Sequence, residues 1–133
     1  MTIKGFKSNI EKETLENKNF RKVLYTGKHL QLVLMTLKAG EDIGAEIHIG
    51  NDQFFRFESG FGKCVIDGNE YKVKEGDAIV VPAGARHNVI NEGVNELKMY
   101  TIYGPPNHQD GTIRNTKQDA EKMDEHFDGK TSE

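Results

Sequence analysis

The sequence is short of cysteine, of charge runs and of long apolar stretches. Cys64 is the single cysteine among 133 residues, so no disulfide can form within the chain and a reducing compartment fits. Eighteen basic residues face twenty-one acidic ones, for a formal charge of −3. No block of like charge interrupts that balance, so it offers no electrostatic footing for nucleic acid or for an anionic membrane. No apolar run approaches the roughly 18 residues of a membrane span. Residues 1–9 carry lysines but lack the apolar stretch of a secretory signal. A cytoplasmic location is the expectation. Internal repeats and low-complexity segments are also missing.

What is present is the composition of an ordinary globular domain, 35% hydrophobic and 29% charged, at a length that suits one core. Residues 1–19 are polar with scattered apolar positions. They read as an N-terminal arm that lies on the surface or reaches a neighbouring subunit, with room for a helical turn over 11–19. From 20 to 103 the texture is β-rich: short runs separated by turn residues, the pattern of an all-β sandwich or barrel. Strands are expected at 29–38, 53–58, 62–66, 70–74, 77–81, 86–90 and 96–103. In the first of these both alternating sets are mostly apolar, so both faces should be covered. Asp67-Gly68 marks a tight hairpin. Residues 104–133 read as an exit loop, begun by Gly104-Pro105-Pro106, and a short charged helix over 117–127 with Thr116 as its N-cap. The last six residues are expected to fray.

The chemistry gathers around a few polar residues on these strands. Glu46 and His48 are two apart, so on a strand they share a face. Gly50-Asn51 can turn the chain and bring back Gln53, which shares its face with Phe55 and Phe57. His87 follows a Pro82-Ala83-Gly84 turn and shares its face with Val89. Four polar groups would then meet in an apolar cavity, where buried polar atoms need partners. A divalent cation is the simplest single partner for two imidazoles, a carboxylate and an amide oxygen. Manganese, iron, nickel, cobalt, copper and zinc all suit that set, and about two coordination positions would stay open for substrate. The rival reading makes His87 a core histidine, satisfied by a hydrogen bond to Glu46.

These segments resemble the two motifs of the cupin superfamily. The first motif runs Gly, five residues, His-x-His, three or four residues, Glu, six residues, Gly, and its spacing is met from Gly40 to Gly60. The second runs Gly, five residues, Pro-x-Gly, two residues, His, three residues, Asn, and is met at every position from Gly76 to Asn91. The departures are Glu46 in place of the first histidine and Gln53 in place of the glutamate. Together they keep one carboxylate in the set. The resemblance implies an antiparallel cupin jelly-roll β-barrel and one metal per chain in the barrel mouth, held by Glu46, His48, Gln53 and His87. Residues 100–112 are similar to the stretch after the barrel in small bacterial cupins labelled sugar-isomerase-like (mannose-6-phosphate isomerase-like).

The function expected is that of a metal-dependent enzyme of isomerase or dioxygenase type, acting on a small polar metabolite with Glu46 as ligand or general base. The alternative is a non-catalytic cupin that binds a sugar or another small ligand. A homodimer would cover the open strand edges. Tyr103 and His108 belong either to a rigid exit loop or to a lid at the cavity mouth. Phe55, Phe57, Phe61 and Cys64 are expected in the core, Phe54 on the opposite face, and His29, Arg86 and His126 at the surface.

Overall fold

The computed structural model describes residues 2–133. In chain order the elements are α1 (Ile10–Glu16), β1 (Arg21–Thr26), β2 (Gln31–Leu37), β3 (Glu46–Ile47), β4 (Asp52–Ser59), β5 (Phe61–Ile66), β6 (Asn69–Lys74), β7 (Ala78–Val81), β8 (Arg86–Asn91), β9 (Leu97–Gly104), β10 (Ile113–Arg114) and α2 (Lys117–Lys122). A six-stranded sheet, ordered β10-β1-β2-β9-β4-β7, faces a four-stranded sheet, ordered β3-β8-β5-β6. Neighbouring strands are antiparallel in both, as in a jelly roll. Alternation along each strand builds the core between them. In β9, Leu97, Met99, Thr101 and Tyr103 point inward, and they meet Val33, Met35, Phe55, Phe57 and Val89. Among the described residues no helix is long and apolar enough to cross a membrane.

The β5–β6 hairpin turns through Asp67 (φ 45°) and Gly68 (φ 83°), with Ile66 opposite Asn69. Two consecutive positive φ angles are what an Asp-Gly turn supplies. Strand β2 is buried on both faces, as its double apolar pattern requires. Its outer face is covered by α1. Asn9 caps that helix by accepting from the Lys12 backbone N–H at 3.0 Å. The Asn17 amide donates to Thr36 Oγ1 at 3.2 Å, and the Thr36 hydroxyl donates to the Asn17 carbonyl at 2.8 Å. The helix within the expected arm is thus fastened to the chain's own sheet, because its polar end finds partners there. Phe54 lies on the outer face beside Tyr100, with ring centroids 6.3 Å apart.

Several expectations need correction. Strands β1 and β10 were not anticipated: β1 reads as a mixed polar run, and β10 has only two residues. The segment 104–133 therefore carries a strand that joins the sheet. The C-terminal helix starts where Thr116 predicts, with its hydroxyl accepting from Asp119 N–H at 3.1 Å. It ends at Lys122 rather than 127, since the chain turns extended at Met123 and carries Glu125 back toward two arginines. The last six residues are docked and not frayed. Ser132 N–H donates to the Thr26 carbonyl at 2.9 Å. The Glu133 carboxylate accepts from Lys4 N–H at 2.8 Å, Gly5 N–H at 2.9 Å and the Tyr25 hydroxyl at 2.7 Å. Phe61 is 54% exposed, because the pleat of β5 turns Gly62 and Cys64 inward instead.

Gly62 is needed for close approach. A Cβ there would run into the Ile90 carbonyl of the paired strand β8 and lie 3.1 Å from Leu97 Cδ2. Gly62→Ala is expected to lower stability by about 1–3 kcal/mol, the scale of an overpacked core position. Urea unfolding followed by circular dichroism checks this; an unchanged midpoint would refute the packing argument.

Candidate metal centre

A ladder of only two residue pairs positions the site. Strand β3 pairs with β8 so that Glu46 lies opposite His87 and Ile47 opposite Arg86. Ile47 and Arg86 face outward and are exposed, so the two opposed polar residues turn in. His48 follows on the face of Glu46. Glu46, His48 and His87 each present one ligand atom, and these atoms lie within 4.8 Å of one another. The His48 and His87 rings are 5.3 Å apart between centroids.

The hydrogen bonds decide between the two readings of His87. Glu46 Oε2 is 3.0 Å from Nε2 of His48. His87 instead donates from Nδ1 to the Ala85 carbonyl at 3.2 Å, which leaves the Nε2 lone pair facing in. Nε2 is buried with no partner. The core histidine satisfied by Glu46 is therefore not what the chain forms. Gln53 sits on β4 directly opposite Tyr103, whose ring meets His48 edge-on at 5.6 Å. Its Nε2 donates to Thr101 Oγ1 at 3.0 Å, while its Oε1 is buried without a partner. An orphaned imidazole nitrogen beside a carboxylate and a second imidazole fits a cation.

The protonation states agree with that use. Burial acts to raise the Glu46 pKa, but the His48 hydrogen bond and the charges of His48, Arg21 and His87 outweigh it, so the carboxyl is held below its ordinary value. Burial, helped by His48, pushes the His87 pKa down despite the Ala85 bond and Glu46. The imidazole is thereby kept neutral, as a ligand requires.

Tyr103 and His108 turn out to be fixed. Both are buried, and His108 Nε2 is 3.2 Å from the Tyr103 hydroxyl. Gln31 clamps the loop: its Oε1 accepts from Asn107 N–H at 3.1 Å and His108 N–H at 2.9 Å, and its Nε2 donates to the His108 carbonyl at 2.8 Å. This is the rigid exit loop, not a lid. Sequence reasoning missed Gln31, Arg21 and Glu125. A buried glutamine in an apolar strand was a usable signal for the first. The other two come together only in the fold. A cavity of about 340 Å³ opens over the cluster, with Arg21, Glu46, His48, His108, Lys117 and Glu125 in its wall. His126 is exposed at its rim, and Cys64 is wholly buried in the core.

A two-sheet antiparallel jelly roll with histidine and carboxylate side chains converging at its mouth is the architecture of a cupin. The cupin domain family model matches residues 33–103, and the chain belongs to that family. It is 50% identical over 123 residues to YrkC, an uncharacterized protein of Bacillus subtilis, covering 88% of this chain and 66% of the relative. It is 45% identical over 109 residues to L612, an uncharacterized protein of Acanthamoeba polyphaga mimivirus, covering 79% of this chain and 68% of that one. The chain thus spans about two thirds of the length of these curated relatives. The crystal structure of BH2720 from Bacillus halodurans superposes with a TM-score of 0.89 at 44% identity, over 90% of this chain and 96% of that one.

Burial, with Glu46 nearby, raises the Tyr103 phenol far above its ordinary value of 10.0. The folded-state pKa exceeds the unfolded one, so the stability tied to this group is fully present below pH 10 and is lost as pH rises above it. Tyr103→Phe should lose less stability than wild type between pH 9 and pH 11 in urea titrations. Equal losses would refute the assignment.

Proposed function

We propose that this cupin is a metal-dependent enzyme acting on a small polar metabolite, of isomerase or dioxygenase type. Glu46, His48 and His87 would hold one divalent transition metal (manganese, iron, nickel, cobalt, copper or zinc), with Gln53 Oε1 as fourth donor. The observation that carries this reading is the buried, unpartnered His87 Nε2 grouped with the Glu46–His48 contact; Gln53 Oε1, likewise buried and unpartnered, supports the fourth donor. A bound metal supplies Lewis acidity toward substrate oxygens. The chain's own groups supply the rest. The Ala85 carbonyl fixes the His87 tautomer, and Tyr103 packs against His48 and holds its ring. Glu46 is ionised, lines the cavity and is placed to take a proton from a substrate carbon or hydroxyl.

Asn107, Lys117 and Asp124 on the cavity wall support a second reading, a non-catalytic cupin holding a sugar or another small ligand by hydrogen bonds. A ligand that stabilises the protein and is recovered unchanged would favour that reading. The homodimer is also a proposal. It is supported by Ile47 (50% exposed) and Val80 (63% exposed) on the edge strands β3 and β7, which a second copy would cover. Light scattering at micromolar concentration should give twice the chain mass, and a monomer would sink it.

Elemental analysis of the untagged protein is expected to find about one metal per chain, lost in His48→Ala/His87→Ala. No metal in the wild type, even after reconstitution with each candidate ion, would overturn the metal reading. Glu46→Gln should reduce turnover far more than metal content, and equal loss of both would make Glu46 a ligand only.

A further inference from the structure

A second set of converging groups shares the cavity wall with Glu46 and His48. Arg21 and Arg114 are direct cross-strand partners in the β1–β10 pair. Their side chains are only 9% and 15% exposed. Like charges set opposite each other on a ladder repel, and burial worsens the repulsion. The Glu125 carboxylate, 6% exposed, sits between them, with Oε1 3.6 Å from Arg21 Nη1 and 3.8 Å from Arg114 Nη2, and Oε2 3.7 Å from His108 Nδ1. Charge-assisted hydrogen bonds to a carboxylate run about 2.7–2.9 Å. Glu125 therefore balances the charge without forming those bonds. Arg21 Nε, Arg114 Nε, His108 Nδ1 and Glu125 Oε1 are all buried with no hydrogen-bond partner.

The two arginines are not equivalent. Arg114 is anchored by donating to the Ile113 carbonyl at 3.2 Å and the Met123 carbonyl at 3.4 Å. Arg21 lines the cavity, stacks on the Phe20 ring with Cζ 5.4 Å from its centroid, and acts on Glu46 through its charge. Lys117, the other cation in the wall, is already paired with Asp42. Glu125 lies outside the barrel strands, between exposed Asp124 and His126.

We infer that Arg21, with His108 beside it, docks the carboxylate of a small organic acid, in competition with the carboxylate of Glu125. A carboxylate is favoured over a phosphate because a carboxylate is what the cradle already accommodates. A ligand seated there has Glu46 and His48 on the same cavity wall, and a hydroxyl or keto oxygen next to its carboxylate would be the group offered to a metal held by them. That second contact rests on the metal reading above; the Arg21 subsite does not.

Calorimetric titration of glycolate, ethylene glycol and inorganic phosphate tests this on wild type, Arg21→Gln and Glu125→Gln, each metal-free and metal-loaded. Arg21→Gln should weaken glycolate by about tenfold or more, the scale of a charge-assisted hydrogen bond. Glu125→Gln should tighten it by a similar factor, because the competing charge is gone. Ethylene glycol should not bind. Arg21→Lys keeps the charge without the planar fork, and carries the test by binding several-fold more weakly if Arg21→Gln does not fold. Weakening in Glu125→Gln would show a purely structural ion cluster and overturn the inference. Phosphate binding tighter than glycolate would overturn the carboxylate assignment. Equal glycolate affinity with and without metal would remove the second contact. Absence of any bound metal would sink the metal reading and leave the metal-free titrations to judge Arg21.

Discussion

Pairing of Glu46 with His87 across the two-residue β3–β8 ladder is the constraint on which the barrel mouth depends. A slip of one residue would turn Ile47 and Arg86 inward and Glu46 and His87 out. Neighbouring bonds hold that register. Gly84 N–H donates to the His48 carbonyl at 2.9 Å, and Gly44 N–H donates to Asn88 Oδ1 at 2.9 Å. Asn91 ends β8 in the same manner: its amide donates to the Leu37 and Asn95 carbonyls, and its Oδ1 accepts from Gly93. The glycine, histidine and asparagine of the second motif thus act as one device. They deliver a strand to the mouth with His87 pointing in.

Charge balance is the second organising fact. Two buried or half-buried carboxylates, Glu46 and Glu125, stand in one cavity with Arg21 between their influences. Neither carboxylate is neutralised by protonation. Burial acts to raise both pKa values, and in both cases nearby histidine and arginine outweigh it. The mouth thus keeps its acids ionised while burial holds His87 toward the neutral form.

Much of the barrel was legible. The Asp67-Gly68 hairpin follows from turn chemistry, the double-sided burial of β2 from its apolar run, and the Thr116 cap from its hydroxyl. The site residues Glu46, His48 and His87 were legible because period-two spacing fixes which side chains share a face. Other features were not. Phe61 looked like core, yet the pleat of β5 excludes it, since parity along a strand outranks hydrophobicity. The polar run of β1 hid a strand whose stability comes from its neighbour. The docking of Glu133 on Lys4, Gly5 and Tyr25 joins the two ends of the chain, and no local pattern announces it.

The sequence by itself determined the β-rich architecture, the cupin motifs and the shared facing of Glu46, His48 and His87, because each depends on spacing within a few residues. Only the tertiary structure decided that His87 bonds Ala85 and keeps Nε2 free, that Gln31 locks the exit loop, and that Glu125 meets Arg21. Those contacts join residues far apart along the chain, and their geometry exists only once two sheets and a returning C-terminus are packed together.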